Sequence, residues 1–230
     1  MSSEGLHIEA RGEGPAVVFT AGFGRTSGTW APQAAALAGD HHVVTWDFRG
    51  HGRSAPPGTK YTRDMVLDDL DAVVDAARAG AGDGGPVLLV GHSLGGYLSL
   101  AYTLGHPEKV RGLALLSTGP GFRNPDSMAR YNAGIVKVAD AAGLDDDTAN
   151  VAYHSDSMVI DRLAEITVPA VVMCGLDDRP VYVTGVRYLA ERLPQATLVE
   201  IAGAGHEPHV DRPDEVTAAL RAHEARPAGR

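Results

Sequence analysis

The sequence predicts an α/β protein: a mostly parallel central sheet flanked by helices. Three observations carry this. Short apolar runs alternate with amphipathic stretches along the chain. Residues 87–96 read as a buried strand, a sharp turn bearing Ser93, and a helix start. The alternation stops between Thr118 and about Thr167 and then resumes, as an insertion between two strands would make it do.

Each element follows in order. Ala16–Thr20 is the first clear strand and ends in Ala21-Gly22-Phe23-Gly24; residues 30–37 read as a helix. His42–Trp46 is the next strand and runs into Asp47-Phe48-Arg49-Gly50-His51-Gly52-Arg53-Ser54. Residues 61–79 place Met65, Val66, Leu70, Val73, Val74 and Ala77 at helical spacing. The Ser93 strand and its helix come next, then a strand over 110–117. Pro125–Ala142 and 145–166 read as helices separated by Gly143, with Asp145-Asp146-Asp147 as a solvated helix start favoured by the N-terminal dipole. Strand rhythm returns over 168–174 and 197–201, with helices near 182–193 and from about Pro213. The tail after Arg226 reads as disordered. The expected organisation is a core of residues 1–118 and 168–230, with 119–167 as a small helical lid over the crevice at the strand ends.

Bulk composition narrows the function classes. The chain has 230 residues, 44% hydrophobic and 21% charged, as expected of one ordinary globular domain. A net charge of -9 and the lack of a basic run argue against a nucleic-acid or anionic-membrane partner. The single cysteine, Cys174, lies in an apolar run and reads as a buried structural thiol. Residues 1–5 lack the basic start and apolar core of a signal peptide. No segment approaches the roughly 20 apolar residues of a membrane helix. A cytoplasmic protein acting on a small molecule is expected, as monomer or homodimer.

The chemistry centres on Gly91-His92-Ser93-Leu94-Gly95-Gly96. A nucleophile on a strained strand-to-helix turn projects its hydroxyl from the sheet edge, and glycines on either side let strand and helix pass closely. A serine hydroxyl is a weak nucleophile until an imidazole takes its proton, and that imidazole needs a carboxylate to fix its tautomer. The elbow therefore predicts an acid and a histidine on later loops that follow strands. Gly175-Leu176-Asp177-Asp178 and Gly203-Ala204-Gly205-His206 occupy such places, in the order Ser, Asp, His. On position alone either Asp177 or Asp178 fits.

With Asp47-x-Arg49-Gly50-His51-Gly52-x-Ser54, Gly175-x-x-Asp178 and Gly205-His206 added, the chain resembles an α/β-hydrolase-fold serine hydrolase over nearly its whole length. The resemblance implies a lid after the sixth strand of that fold. It also implies Ser93 as nucleophile, Asp178 as acid and His206 as base, with no cofactor and no metal. The backbone N–H groups of Phe23 and Leu94 would form the oxyanion hole. Family members commonly carry His-Gly ahead of the first donor; here Ala21-Gly22 stands there, so a bracing side chain is missing. Serine at the elbow argues against the dehalogenase and epoxide-hydrolase branches, which use an aspartate.

The other histidines read as structural, His92 packing beneath the elbow and His51 within its turn, with His209 at the pocket mouth. Expected substrate contacts are Phe122, Met128, Tyr131, Tyr153 and Met158. A small to medium apolar ester, thioester or lactone is the expected substrate. Carbon–carbon bond hydrolysis of a diketone and cofactor-free perhydrolysis are the alternatives within catalysis. A ligand receptor, or a cyclase or lyase, would be an alternative use of the same scaffold.

Overall fold

In the computed structural model, which describes residues 4–225, the chain alternates strand and helix through most of its length. The elements are β1 (Ile8–Arg11), β2 (Ala16–Thr20), α1 (Ala31–Leu37), β3 (His42–Trp46), α2 (Arg63–Gly80), β4 (Val87–His92) and α3 (Leu94–Gly105). Then come β5 (Val110–Leu116), α4 (Pro125–Ala142), α5 (Asp146–Ala149), α6 (Met158–Asp161) and β6 (Ala170–Gly175). Last are α7 (Pro180–Arg192), β7 (Ala196–Ile201), α8 (Pro208–Asp211) and α9 (Pro213–Glu224). The tail after Arg226, expected to be disordered, lies outside the described residues.

The strands form one 7-stranded sheet in the order β1-β3-β2-β4-β5-β6-β7. Only β1 runs antiparallel, against β3. It has no counterpart in the sequence expectation, because Ile8-Glu9-Ala10-Arg11 is short, charged and at the edge, where one neighbour suffices. The central strands are buried on both faces, which explains their unbroken apolar runs. One face packs Val18, Leu89, Leu115 and Val172 under α2, α3 and α7. The other packs Phe19, Val90, Leu116 and Met173 under Trp30, α1 and α9. Cys174 is buried within β6.

The insertion lies between β5 and β6, after the fifth of the seven strands of this sheet. Its first helix matches the expected Pro125–Ala142: Asn124 caps the start by accepting from Ser127 N, and Gly143 ends it at φ 66°. The second half departs from expectation. Residues 145–166 form α5, α6 and two short 3-10 turns rather than one helix. The cause is tertiary. Asn132 holds the backbone of His154 through both its amide groups, and Asp156 accepts from Met158 N while pairing with Arg63 of α2. These bonds fix an extended crossing where a continuous helix needs its own i to i-4 bonds. Among the described residues no helix is long and apolar enough to cross a membrane.

Candidate active site

Ser93 sits between β4 and α3 at φ 51° and ψ -114°, a conformation rarely adopted by a side-chain-bearing residue and costing about 1–3 kcal/mol. The fold holds it there. Ser93 N donates to Leu116 O at 2.9 Å, and Thr118 Oγ1 donates to Ser93 O at 2.7 Å. The flanking glycines make the turn possible: a Cβ on Gly91 would lie 2.4 Å from Gly95 O, and one on Gly95 would lie 2.4 Å from Thr20 O.

The loops after β6 and β7 bring the partners. His206 Nε2 lies 3.2 Å from Ser93 Oγ, and its Nδ1–H donates to Asp178 Oδ2 at 2.8 Å. Asp178 is buried, and its other oxygen accepts from Arg179 N at 2.6 Å, so both carboxylate oxygens are engaged. Asp177 is exposed and its N–H donates to Ala204 O, which leaves Asp178 facing the imidazole. His92 lies beneath: its Nε2–H donates to His206 O at 2.8 Å, fixing the histidine loop from below. Burial holds the His92 ring neutral, far below the usual histidine range.

The loop after β2 places Phe23 beside the elbow. The N–H groups of Phe23 and Leu94 have no acceptor among the described residues. The loop is braced from the turn after β3. His51 Nδ1–H donates to Arg49 O, and its Nε2 accepts from Gly24 N at 3.2 Å, while its ring meets Phe23 and Phe48 edge-on. Asp47 adds a second tie by accepting from Ser27 N. The bracing that a His-Gly sequence would have supplied therefore comes from His51 and Asp47. Burial lowers the pKa of His51, which keeps Nε2 an acceptor.

A cavity of about 220 Å³ opens on Ser93 and Leu94, lined by Tyr97, Phe122, Tyr131, His154, Tyr182 and Tyr188 among others. On the other side a cleft of about 380 Å³ carries Phe23, Arg25, Lys137, Arg179 and His206. Of the expected contacts, Phe122 and Tyr131 line the cavity, whereas Tyr153 and Met158 pack against the apolar core and Met128 is not in the lining. His209 is fully buried against Trp30, not at the mouth, with ring centroids 4.1 Å apart. Tyr182 is a site residue with no place in the sequence reading. Its ring lies 4.1 Å from that of His206, it lines both spaces beside Ser93, and Arg179 donates to its hydroxyl. Its one sequence signal is that it follows Asp178 by four residues, on the first turn of α7.

A serine held at the C-terminal edge of a parallel sheet, facing an imidazole–carboxylate pair from later strand ends, is the layout of an α/β hydrolase. Residues 15–165 match the alpha/beta hydrolase fold family, and the chain belongs to it. A relative from Caulobacter sp. (strain K31), which bears a carbamate-hydrolase name, RutD, is 30% identical over 94% of each chain. A pimeloyl-[acyl-carrier protein] methyl ester esterase from Chromobacterium violaceum is 27% identical over 95% of this chain and 97% of its own. Among solved structures, Est816, described as an N-acyl homoserine lactone degrading enzyme, superposes with a TM-score of 0.74 at 27% identity, covering 94% of this chain and 96% of its own.

Proposed function

We propose that the protein is a serine hydrolase of small to medium esters, thioesters or lactones, working through an acyl-enzyme. The observation that carries this is the hydrogen-bonded row Asp178–His206–Ser93 at the mouth of an apolar cavity. The names of the three relatives support it, since carbamates, methyl esters and lactones all present a carbonyl bonded to oxygen.

Ser93 Oγ attacks the substrate carbonyl as His206 Nε2 takes its proton, and Asp178 stabilises the imidazolium through Nδ1–H. The free N–H groups of Phe23 and Leu94 receive the developing oxyanion. His206 then protonates the leaving group, and water attacks the acyl-enzyme by the same route. The acyl group occupies the cavity lined by Phe122 and Tyr131, under a lid formed by residues 119–167. The leaving group departs through the cleft of Arg25, Lys137 and Arg179. A panel of p-nitrophenyl esters from acetate to palmitate, with simple lactones, tests the reading. Short and medium acyl esters are expected to turn over and palmitate to fail; no hydrolysis of any member would overturn it.

The brace on the oxyanion loop gives a sharper expectation. His51→Phe keeps the ring packing but removes the acceptor for Gly24 N–H. Removing one oxyanion donor outright costs about 100- to 1000-fold in related chemistry, so loosening its loop is expected to lower kcat about tenfold with little change in KM. Steady-state kinetics on the best ester would show this, and an unchanged kcat would contradict the bracing role.

A further inference from the structure

His154 is the one imidazole in the lining of the acyl cavity, and the mechanism above leaves it without a task. It comes from the extended part of the insertion, where Asn132 grips its backbone from both sides. The ring itself is held only by edges and faces: Tyr97, Tyr131 and Phe122 have centroids 4.3, 4.9 and 5.4 Å away. The residue is 8% exposed. Its Nδ1 is sealed and has no hydrogen-bond partner, while Nε2, also without a protein partner, is not sealed, and the residue lines the cavity. A phenylalanine would fill this aromatic nest without a polar group to desolvate.

The sealed nitrogen settles the tautomer. An orphaned buried N–H is rarer than an under-satisfied acceptor, which places the ring proton on Nε2. Burial, with Arg63 nearby, lowers His154 to about 4, so the ring is neutral near pH 7 and offers one donor and no charge. Gly121 keeps the neighbouring wall low: at φ 90° it carries no side chain, and a Cβ there would lie 3.2 Å from Nδ1.

We propose that His154 Nε2–H donates to a carbonyl oxygen on the acyl part of the substrate, so that acyl groups bearing a second carbonyl are preferred over plain alkanoyl groups. This rests on the serine-hydrolase reading and adds the substrate class. A neutral donor facing an otherwise apolar pocket rewards an acceptor oxygen and gives nothing to a methylene.

The test compares p-nitrophenyl hexanoate with the oxohexanoates carrying the ketone at each chain position in turn, after subtraction of uncatalysed hydrolysis. The native enzyme is expected to favour at least one keto ester over hexanoate by about threefold to tenfold in kcat/KM, the value of one neutral hydrogen bond. In His154→Phe that ratio should fall to near one; His154→Gln, which restores an amide donor, should recover part of it. His154→Leu carries the comparison if the Phe variant does not fold. A native enzyme that hydrolyses hexanoate without preferring any keto ester, or a preference that survives in the Phe variant, overturns this inference alone. Failure of every ester overturns the serine-hydrolase reading as well.

Discussion

Ser93→Ala and His206→Gln are each expected to lower kcat for ester hydrolysis about 10⁴-fold or more, with KM nearly unchanged. Both changes act on one proton path, so the double variant should be scarcely worse than either single one. The geometry gives the reason. His206 Nε2 is 3.2 Å from Ser93 Oγ, and its other nitrogen is committed to a buried carboxylate, so the imidazole is held in the tautomer that accepts the serine proton. Glutamine has no basic nitrogen to take that proton. The cavity, the insertion between β5 and β6 and the free N–H groups of Phe23 and Leu94 are untouched by either substitution, which is why binding should persist. Kinetics of the two single variants and the double variant would check this; additive losses would show that the residues act separately.

Folding stability is expected to fall steeply as pH drops from about 6.5 towards 4. Burial lowers the pKa of His154 to about 4 and that of His209 to about 3, and it depresses His51 and His92 as well. A histidine whose folded pKa lies below its unfolded value of about 6.5 binds fewer protons folded than unfolded. Stability from such a group is therefore full above pH 6.5 and is lost as pH falls through the interval to the folded pKa. At pH 4.5 His154 and His209 each forfeit about 2–3 kcal/mol, against a whole-domain stability of about 5–15 kcal/mol. The structure shows where the cost arises. His92 and His209 each present a sealed Nδ1 with no partner, so protonation would bury an unpaired N–H. Urea unfolding at pH 7.5, 6.0 and 4.5 reads the effect directly, and a flat midpoint across that range would contradict it.

The parts of the fold legible in the sequence are those specified by contiguous residues. The central strands announce themselves because both their faces are buried. The elbow does so because Gly91 and Gly95 admit no side chain against their neighbours, and the loop bearing Asp178 because it follows the buried strand β6; the loop bearing His206 follows β7, an edge strand, and is marked by Gly203 and Gly205. What was not legible depends on partners distant in sequence. β1 is too short and charged to read as a strand until β3 lies beside it. The segment from 145 to 166 has helical spacing, yet bonds from Asn132 and Arg63 pull it into short turns. His51 as the brace of the loop after β2, Tyr182 against His206, and His154 within an aromatic nest are contacts across 27, 24 and 23 residues or more, which no local pattern encodes.

Fluorophosphonate labelling of the native protein and of Ser93→Ala, read by intact-mass spectrometry and peptide mapping, tests the central claim most directly. One adduct on Ser93 of the native protein is predicted, with none on the folded variant. An adduct on another residue, or equal labelling of Ser93→Ala, would contradict the assignment of Ser93 as the nucleophile.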